Sequence, residues 1–315
     1  MSETTVRPGQ EHYVASLEET PLKAVDAVDD SAPPSSQWGE AWRQLRRRPL
    51  FWVSVVLILL VVVVAAAPSL FTSTNPRFQT LADSLGKPRD GHPFGFTRLG
   101  EDVYARTVYG ARASVVVGLL STVLVTIVGG VVGAVAGYYG GIWDALLSRI
   151  SDIFFAVPLV LGAIVLITSL QSRSTLTVSL VLSLFAWPQT ARIMRGSVLQ
   201  TRGAEFVTAA RALGLSRLQV LVRHVVPNAL GPVIVIATIS LGTFIAAEAT
   251  LSYLGVGLPS SIVSWGGDIS AAQTSLRSAP QVLFWPAGAL SITVLSFIML
   301  GDVVRDALDP KARTR

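Results

Sequence analysis

Of the chain's 315 residues, 51 % are apolar and only 14 % are charged, and the mean hydropathy is strongly positive at +0.56. This excludes an ordinary water-soluble enzyme and points to a protein that crosses a membrane repeatedly. The formal net charge of +5 requires no nucleic acid, because topology and anionic lipid headgroups account for basic residues beside membrane spans. With no Cys there is neither a disulfide nor a thiolate metal site, and His12, His92 and His224 are too scattered to form a His-based one.

In chain order, residues 1–36 are polar and acidic, end in Pro33-Pro34-Ser35-Ser36, and read as a disordered cytoplasmic tail. They are not a cleavable signal, since the first apolar run starts too late and lacks a small-residue cleavage site. Trp38, Trp42, Leu45 and Arg46-Arg47-Arg48 give 37–49 the pattern of a basic amphipathic helix lying along the cytoplasmic interface. Six apolar runs follow, near 50–71, 113–137, 153–170, 175–191, 229–254 and 283–301, each suited to cross roughly 30 Å of hydrocarbon. Domain 50–315 is therefore expected to be an all-α bundle of six transmembrane helices. Between the spans lie a long outer loop, 72–112, and a long inner loop, 192–228. With both termini inside, 17 of the 25 Lys and Arg fall on the inner side, so the predicted orientation is N-in/C-in. Arg149 and Asp152, at i and i+3, are expected to pair at the entry to the third span.

No residue pattern suggests catalysis. Gly86-Lys87 lacks the earlier Gly and the following Ser/Thr of a phosphate-cradling loop, and no nucleophile elbow or His-Glu-x-x-His helix occurs. Trp187-Pro188-Gln189 interrupts the fourth run. There Trp187 and Gln189 either offer contacts to a passing solute, or Trp187 anchors the helix near the inner interface. Glu248 follows nineteen uncharged residues and lies near the outer end of the fifth span. An acid at that depth either bonds a neighbouring helix or contacts cargo.

The inner loop is the most informative stretch. Phe206, Ala209, Ala210 and Leu213 fall at i, i+3, i+4 and i+7, on one face of a helix beginning at Glu205. Gly214 suits the left-handed conformation that ends a helix, and Ser216 with Gln219 has capping-box spacing for a second one. Leu218, Leu221, Val222 and Val225 continue the apolar stripe to Pro227. Such a segment is suited to dock in a groove of a partner protein, or to lie on the lipid surface.

This loop resembles the coupling loop of binding-protein-dependent ABC importer permeases. That family's pattern is Glu-Ala-Ala, three residues, Gly, nine residues, an apolar residue, one more, then Leu-Pro. Thr208-Ala209-Ala210, Gly214, His224 and Val226-Pro227 stand at those places, with Thr208, His224 and Val226 as departures. Three further segments resemble the dipeptide and oligopeptide branch. They are His92-Pro93-Phe94-Gly95 through Gly100-Glu101-Asp102 with Tyr109-Gly110-Ala111-Arg112, Ala247-Glu248-Ala249 through Gly257 with Trp265-Gly266, and Gly301-Asp302 through Arg305-Asp306 to Asp309-Pro310. In the first, Glu101 replaces the usual Arg while Asp102 keeps its place. That segment either shapes an outer mouth that meets a substrate-binding protein, or is a turn capping the second span.

The resemblance implies a type I ABC importer permease (MetI-like) fold in a bacterial inner membrane. It also implies a second permease subunit, two ATPase subunits that bind the ATP and Mg, an external binding protein, and a peptide as cargo. This chain itself would hold no cofactor. Carried over by position, Glu205, Thr208, Ala209, Ala210, Arg211, Gly214, Arg217 and Pro227 would form the ATPase-coupling segment, with Glu205, Arg211 and Arg217 on its polar docking face. Asp102, Trp187, Gln189 and Glu248 are the candidates for the outer mouth or pore. A nickel-chelate importer is the alternative within the family, and an ion-driven secondary transporter the alternative outside it.

Overall fold

The computed structural model describes residues 37–308, so the expected tail 1–36 and Asp309-Pro310 of the C-terminal motif lie outside the described residues. Apart from two isolated bridges, all regular structure among the described residues is helical. From Ala41 onward these residues form one compact unit.

Helix α1 (Gln37–Leu45) ends at the arginine turn, and Pro49 opens α2 (Pro49–Ala66), where its missing N–H is no loss. The next helix, α3 (Val103–Tyr139), has 37 residues and starts well before the expected 113. The Asp102 carboxylate sets its start by accepting from Ala105 N–H at 2.9 Å. The outer loop therefore ends at Asp102 instead of 112. Arg106 and Arg112 look like loop residues in sequence but are held inside the helix by fixed partners. Arg112 donates to the last carbonyls of α2, Ala65 at 3.0 Å and Ala66 at 2.9 Å, satisfying acceptors that a helix end leaves open.

The six-span expectation is met only in part. Helices α2, α3, α10 (Gly231–Tyr253) and α12 (Gln281–Leu308) are long and apolar enough to cross a membrane. A fifth crossing arises if α4 (Gly141–Ala156) and α5 (Leu159–Leu170) count as one span bent by 84°. The expected straight helix over 153–170 is thus broken. Pro158 has no N–H to continue the ladder and forces Val157 into an extended conformation, φ −100°, ψ 117°. The remaining run lies in α6 (Thr175–Thr201), 27 residues long, whose last turns carry Arg192 and Arg195 and dilute its apolarity. Pro188 sits inside this helix without ending it.

Helix α6 lies against α3 along a row of glycines. A Cβ on Gly129, Gly133 or Gly137 would stand 2.7, 2.2 and 2.8 Å from the carbonyl oxygens of Trp187, Ala191 and Arg195. Three small residues at four-residue spacing let the two backbones touch, the usual route to tight helix association where lipid supplies no hydrophobic drive. Nearer the start of α3 the same seam is polar: Ser183 Oγ donates to Ser121 O at 3.3 Å, and Ser121 Oγ to Ser179 O at 3.4 Å. On the other side of α3, α2, α10 and α12 meet it around Ala65, Ala111, Val115, Ile245 and Phe297.

Gly133→Val is expected to lower the thermal unfolding midpoint of the detergent-solubilised protein. The overpacking cost is about 1–3 kcal/mol, because the obstacle is backbone and cannot rotate away. Gly130→Ala, where a Cβ meets nothing within 4 Å, should leave the midpoint unchanged or raise it.

Candidate functional site

Most of the residues marked out by sequence fall in two clusters, one toward each end of α3, while Trp187 and Gln189 lie between them on α6. At its Tyr139 end, α6 runs on to Thr201, so the loop expected from 192 begins at Arg202. Helix α7 (Glu205–Ala212) then leads to Gly214, whose φ of +85° requires the conformation only glycine takes freely. Ser216 and Gln219 make both reciprocal bonds of a capping box, starting α8 (Arg217–Val220). A single π-turn, Leu221–Val225, joins α8 to α9 (Val226–Ala229), which carries Pro227. The helix, glycine bend and second helix stand where the sequence puts them.

The loop is seated on the bundle by only part of the apolar stripe read from the sequence, together with residues outside it. Val207 and Ala210, with Val220, Leu221 and Val225, pack on Tyr138, Met194 and Val198 of α3 and α6. Of the predicted set, only Ala210 is buried; Phe206 and Ala209 are exposed, and Leu213 is 81 % exposed. In the second stripe Leu221 and Val225 are buried, whereas Leu218 and Val222 stand out at 62 % and 57 % exposure. The amphipathic repeat thus splits in two: one half seats the loop on the bundle, and the other presents a bare apolar ridge around Gly214. Glu205, Thr208 and Arg217 are exposed beside it. Arg211 is turned toward the bundle. Its guanidinium donates to Tyr138 Oη at 3.1 Å and lies 5.4 Å from that ring's centre.

At the Val103 end, Asp102 is buried, capping α3 through one oxygen and pairing with His92 Nδ1 through the other. The capping role of this segment is therefore structural fact. Glu101, the departure from the family pattern, accepts from Arg106 at 2.6 Å, Thr97 Oγ1 at 3.0 Å and Gln79 at 3.2 Å. Arg106 also donates through Nε to Asp268 at 2.8 Å, on α11 (Trp265–Ala272), so one guanidinium joins the outer loop, α3 and α11. Burial pushes the Asp268 carboxyl above its ordinary value; Arg106 opposes this and Glu101 adds to it.

Glu248 on α10 is wholly buried. It accepts from Ser114 Oγ of α3 at 3.0 Å and Ser252 Oγ at 2.7 Å. Ser114 also accepts from Trp265 N–H at 3.3 Å, while Trp265 Nε1 donates to Thr107 O at 2.8 Å. The acid therefore bonds a neighbouring helix and ties α10 and α11 to α3.

The four residues put forward for the outer mouth or the pore lie apart along the bundle. Ser114, the partner of Glu248, lies roughly 18 Å along α3 from Asp102, and Gly129, which abuts Trp187, roughly 40 Å. Trp187 is half-buried against Phe154, and Gln189 is exposed. Asp152 lies 3.9 Å from Arg192 instead of pairing with Arg149, because α4 runs past α6 here. Sequence reasoning missed Arg106, Asp268 and Tyr138, whose partners are far away in the chain. The Gly129, Gly133, Gly137 spacing was a legible signal that went unread.

With this geometry in place, comparison with known proteins is direct. Residues 129–314 match the family described as binding-protein-dependent transport system inner membrane component. Residues 36–88 match the N-terminal TM domain of oligopeptide transport permease C. The chain belongs to this family of inner-membrane transport components. It is 36 % identical to the oligopeptide transport system permease protein OppC of Bacillus subtilis (strain 168), over 94 % of this chain and 97 % of that one. It is 35 % identical to the dipeptide transport system permease protein DppC of Alkalihalophilus pseudofirmus, over 90 % and 95 %. It is 34 % identical to the glutathione transport system permease protein GsiD of Escherichia coli, over 95 % and 97 %. A solved inward-facing structure of the MetNI methionine ABC transporter matches 65 % of this chain and 96 % of its own, with a TM-score of 0.53 and 22 % identity. That likeness shows the fold, the MetI-like permease fold expected from the sequence.

Arg106→Ala would leave Glu101 and Asp268 buried without their shared cation. It is expected to cost about 3–5 kcal/mol, read as a lower unfolding midpoint in detergent. Arg106→Lys should recover only part, since one ammonium cannot span both carboxylates as the guanidinium does.

Proposed function

We propose that this chain is one of two permease subunits of an ATP-driven importer that carries short peptides across a bacterial inner membrane. The observation that carries this reading is the exposed apolar ridge of Phe206, Leu213, Leu218 and Val222 around Gly214, on a chain related to peptide permeases over nine-tenths of its length. The proposed N-in/C-in orientation would put that ridge in the cytoplasm, where an ATPase subunit would cover it as a helix lying in a groove. Glu205, Thr208, Ala209 and Arg217 flank the ridge, Ala210 and Arg211 fasten the loop to the bundle, and Gly214 and Pro227 shape its bends. The outer end of α3, capped by Asp102, would face a peptide-loaded binding protein.

ATP and Mg would be held by the two ATPase subunits. Their closure would move the loop, and α3 with α6 would pass that movement to the other end of the bundle as a rigid-body tilt. This chain would contribute shape and coupling, with no chemical step of its own. Peptide cargo is favoured over a nickel chelate by the oligopeptide, dipeptide and glutathione relatives. An ion-driven mechanism gains no support from Glu248, whose oxygens are occupied by serines inside the helix packing.

Gly214→Asp forces a side chain onto positive φ and adds a negative charge beside the ridge. Uptake of labelled peptide should fall to near background while the folded protein still reaches the membrane at normal amount. Gly214→Asn, which tolerates that φ better, should retain more uptake. Wild-type uptake by the Asp variant would contradict the proposed coupling role.

A further inference from the structure

Where α3 ends, Tyr138, Tyr139, Arg202, Gly203, Arg211 and Arg217 line a cleft of about 340 Å³. Three guanidinium groups border it, and no ion pair among the described residues reaches any of them. Asp144 senses the charge of Arg202, but Arg195 holds both its oxygens. Glu205, three residues beyond Arg202, pairs with none of the three. Two of the arginines are already held in place. Arg202 donates to Gly137 O at 2.8 Å, and Arg211 is fixed on Tyr138. Arg217 follows the Ser216 cap with its side chain free of any recorded bond. Three like charges gathered with no carboxylate bonded to any of them repel one another, and most of their N–H donors remain open.

We propose that this cleft binds a phosphate-bearing anion, with an anionic lipid headgroup as its source. Guanidinium forks match phosphate oxygens in pairs, and the tyrosine hydroxyls supply further donors. The depth of the cleft favours lipid. Helix α3 is roughly 55 Å long against about 30 Å of hydrocarbon, so its ends reach the headgroup layers. Immediately past the cleft, Ile142 and Trp143 project outward at 79 % and 55 % exposure, as side chains do at a membrane–water boundary. A basic pocket between helices on the cytoplasmic side is the setting in which anionic headgroups are held. The inference rests on the proposed N-in orientation. A lipid bound here would brace the coupling loop against the end of α3.

The test uses the full-length chain, purified with whatever subunits accompany it, in nanodiscs of phosphatidylcholine with or without phosphatidylglycerol. Lipid retained is measured by native mass spectrometry, and unfolding midpoints are recorded. The expected result is selective retention of phosphatidylglycerol, about fivefold weaker in Arg217→Gln and partly restored in Arg217→Lys, which keeps the charge but not the fork. If inorganic phosphate alone raises the midpoint in pure phosphatidylcholine, and Arg217→Gln abolishes that rise, the anion site stands and its source is soluble phosphate. Equal retention by wild type, Arg217→Gln and Arg202→Gln, with no response to phosphate, overturns the proposal. So does an Arg217→Gln defect confined to co-purification of a partner subunit, which would make the cleft a protein contact. Neither readout needs ATP hydrolysis or uptake, so failure here leaves the permease assignment standing.

Discussion

The close approach of α3 and α6 is the constraint on which the rest of the molecule depends. Gly129, Gly133 and Gly137 offer no side chains, so the carbonyls of Trp187, Ala191 and Arg195 settle directly against the α3 backbone. In lipid, contact this close replaces the hydrophobic drive that would hold two helices together in water. The pair then forms a rigid spine with a cluster of bonded and packed side chains toward each end. At one end Tyr138, Met194 and Val198 seat the loop that carries Gly214; at the other, Asp102, Arg106 and Ser114 hold the outer loop, α11 and α10.

Such a spine suits a subunit whose work is mechanical. In the proposed importer, force applied at the exposed ridge around Gly214 would enter α3 and α6 through the buried contacts of Val207, Ala210, Val220 and Leu221. The polar ties are placed where helices must move together. Arg106 joins the outer loop, α3 and α11 through one side chain, and Glu248 with Ser114 adds α10 to the same set. Where the chain bends sharply, at Val157-Pro158 and at Gly214, the backbone supplies the reason, so both bends are built in.

Local chemistry was legible before any coordinates. Pro49, the Ser216–Gln219 capping box, the Gly214 bend and the place of Glu248 near the end of α10 follow from neighbours along the chain, and they are where the sequence puts them. What was hidden depends on partners distant in the chain. Arg106 and Arg112 read as loop residues because nothing nearby announces Asp268 or the carbonyls of Ala65 and Ala66. Phe206 and Leu213 are left off the bundle, as the stripe suited to a partner or to lipid requires, but the periodicity gave no sign that Val207 and Ala210 would be the residues to seat the loop. The third span looked continuous because its composition is apolar throughout, although Pro158 turns it by 84°. The helix-tying bonds of Asp102 and Glu248 were hidden for a related reason, since a buried acid's partner is distant in the chain or, for a cap, set only by the local fold.

The most direct test is to purify the tagged chain in mild detergent, identify what accompanies it, and measure ATP hydrolysis with and without a peptide-loaded binding protein. A permease importer predicts a second permease and ATPase subunits in the complex, with hydrolysis stimulated by the loaded binding protein. A lone, stable chain that moves its cargo along an ion gradient, with no ATPase bound, would contradict it.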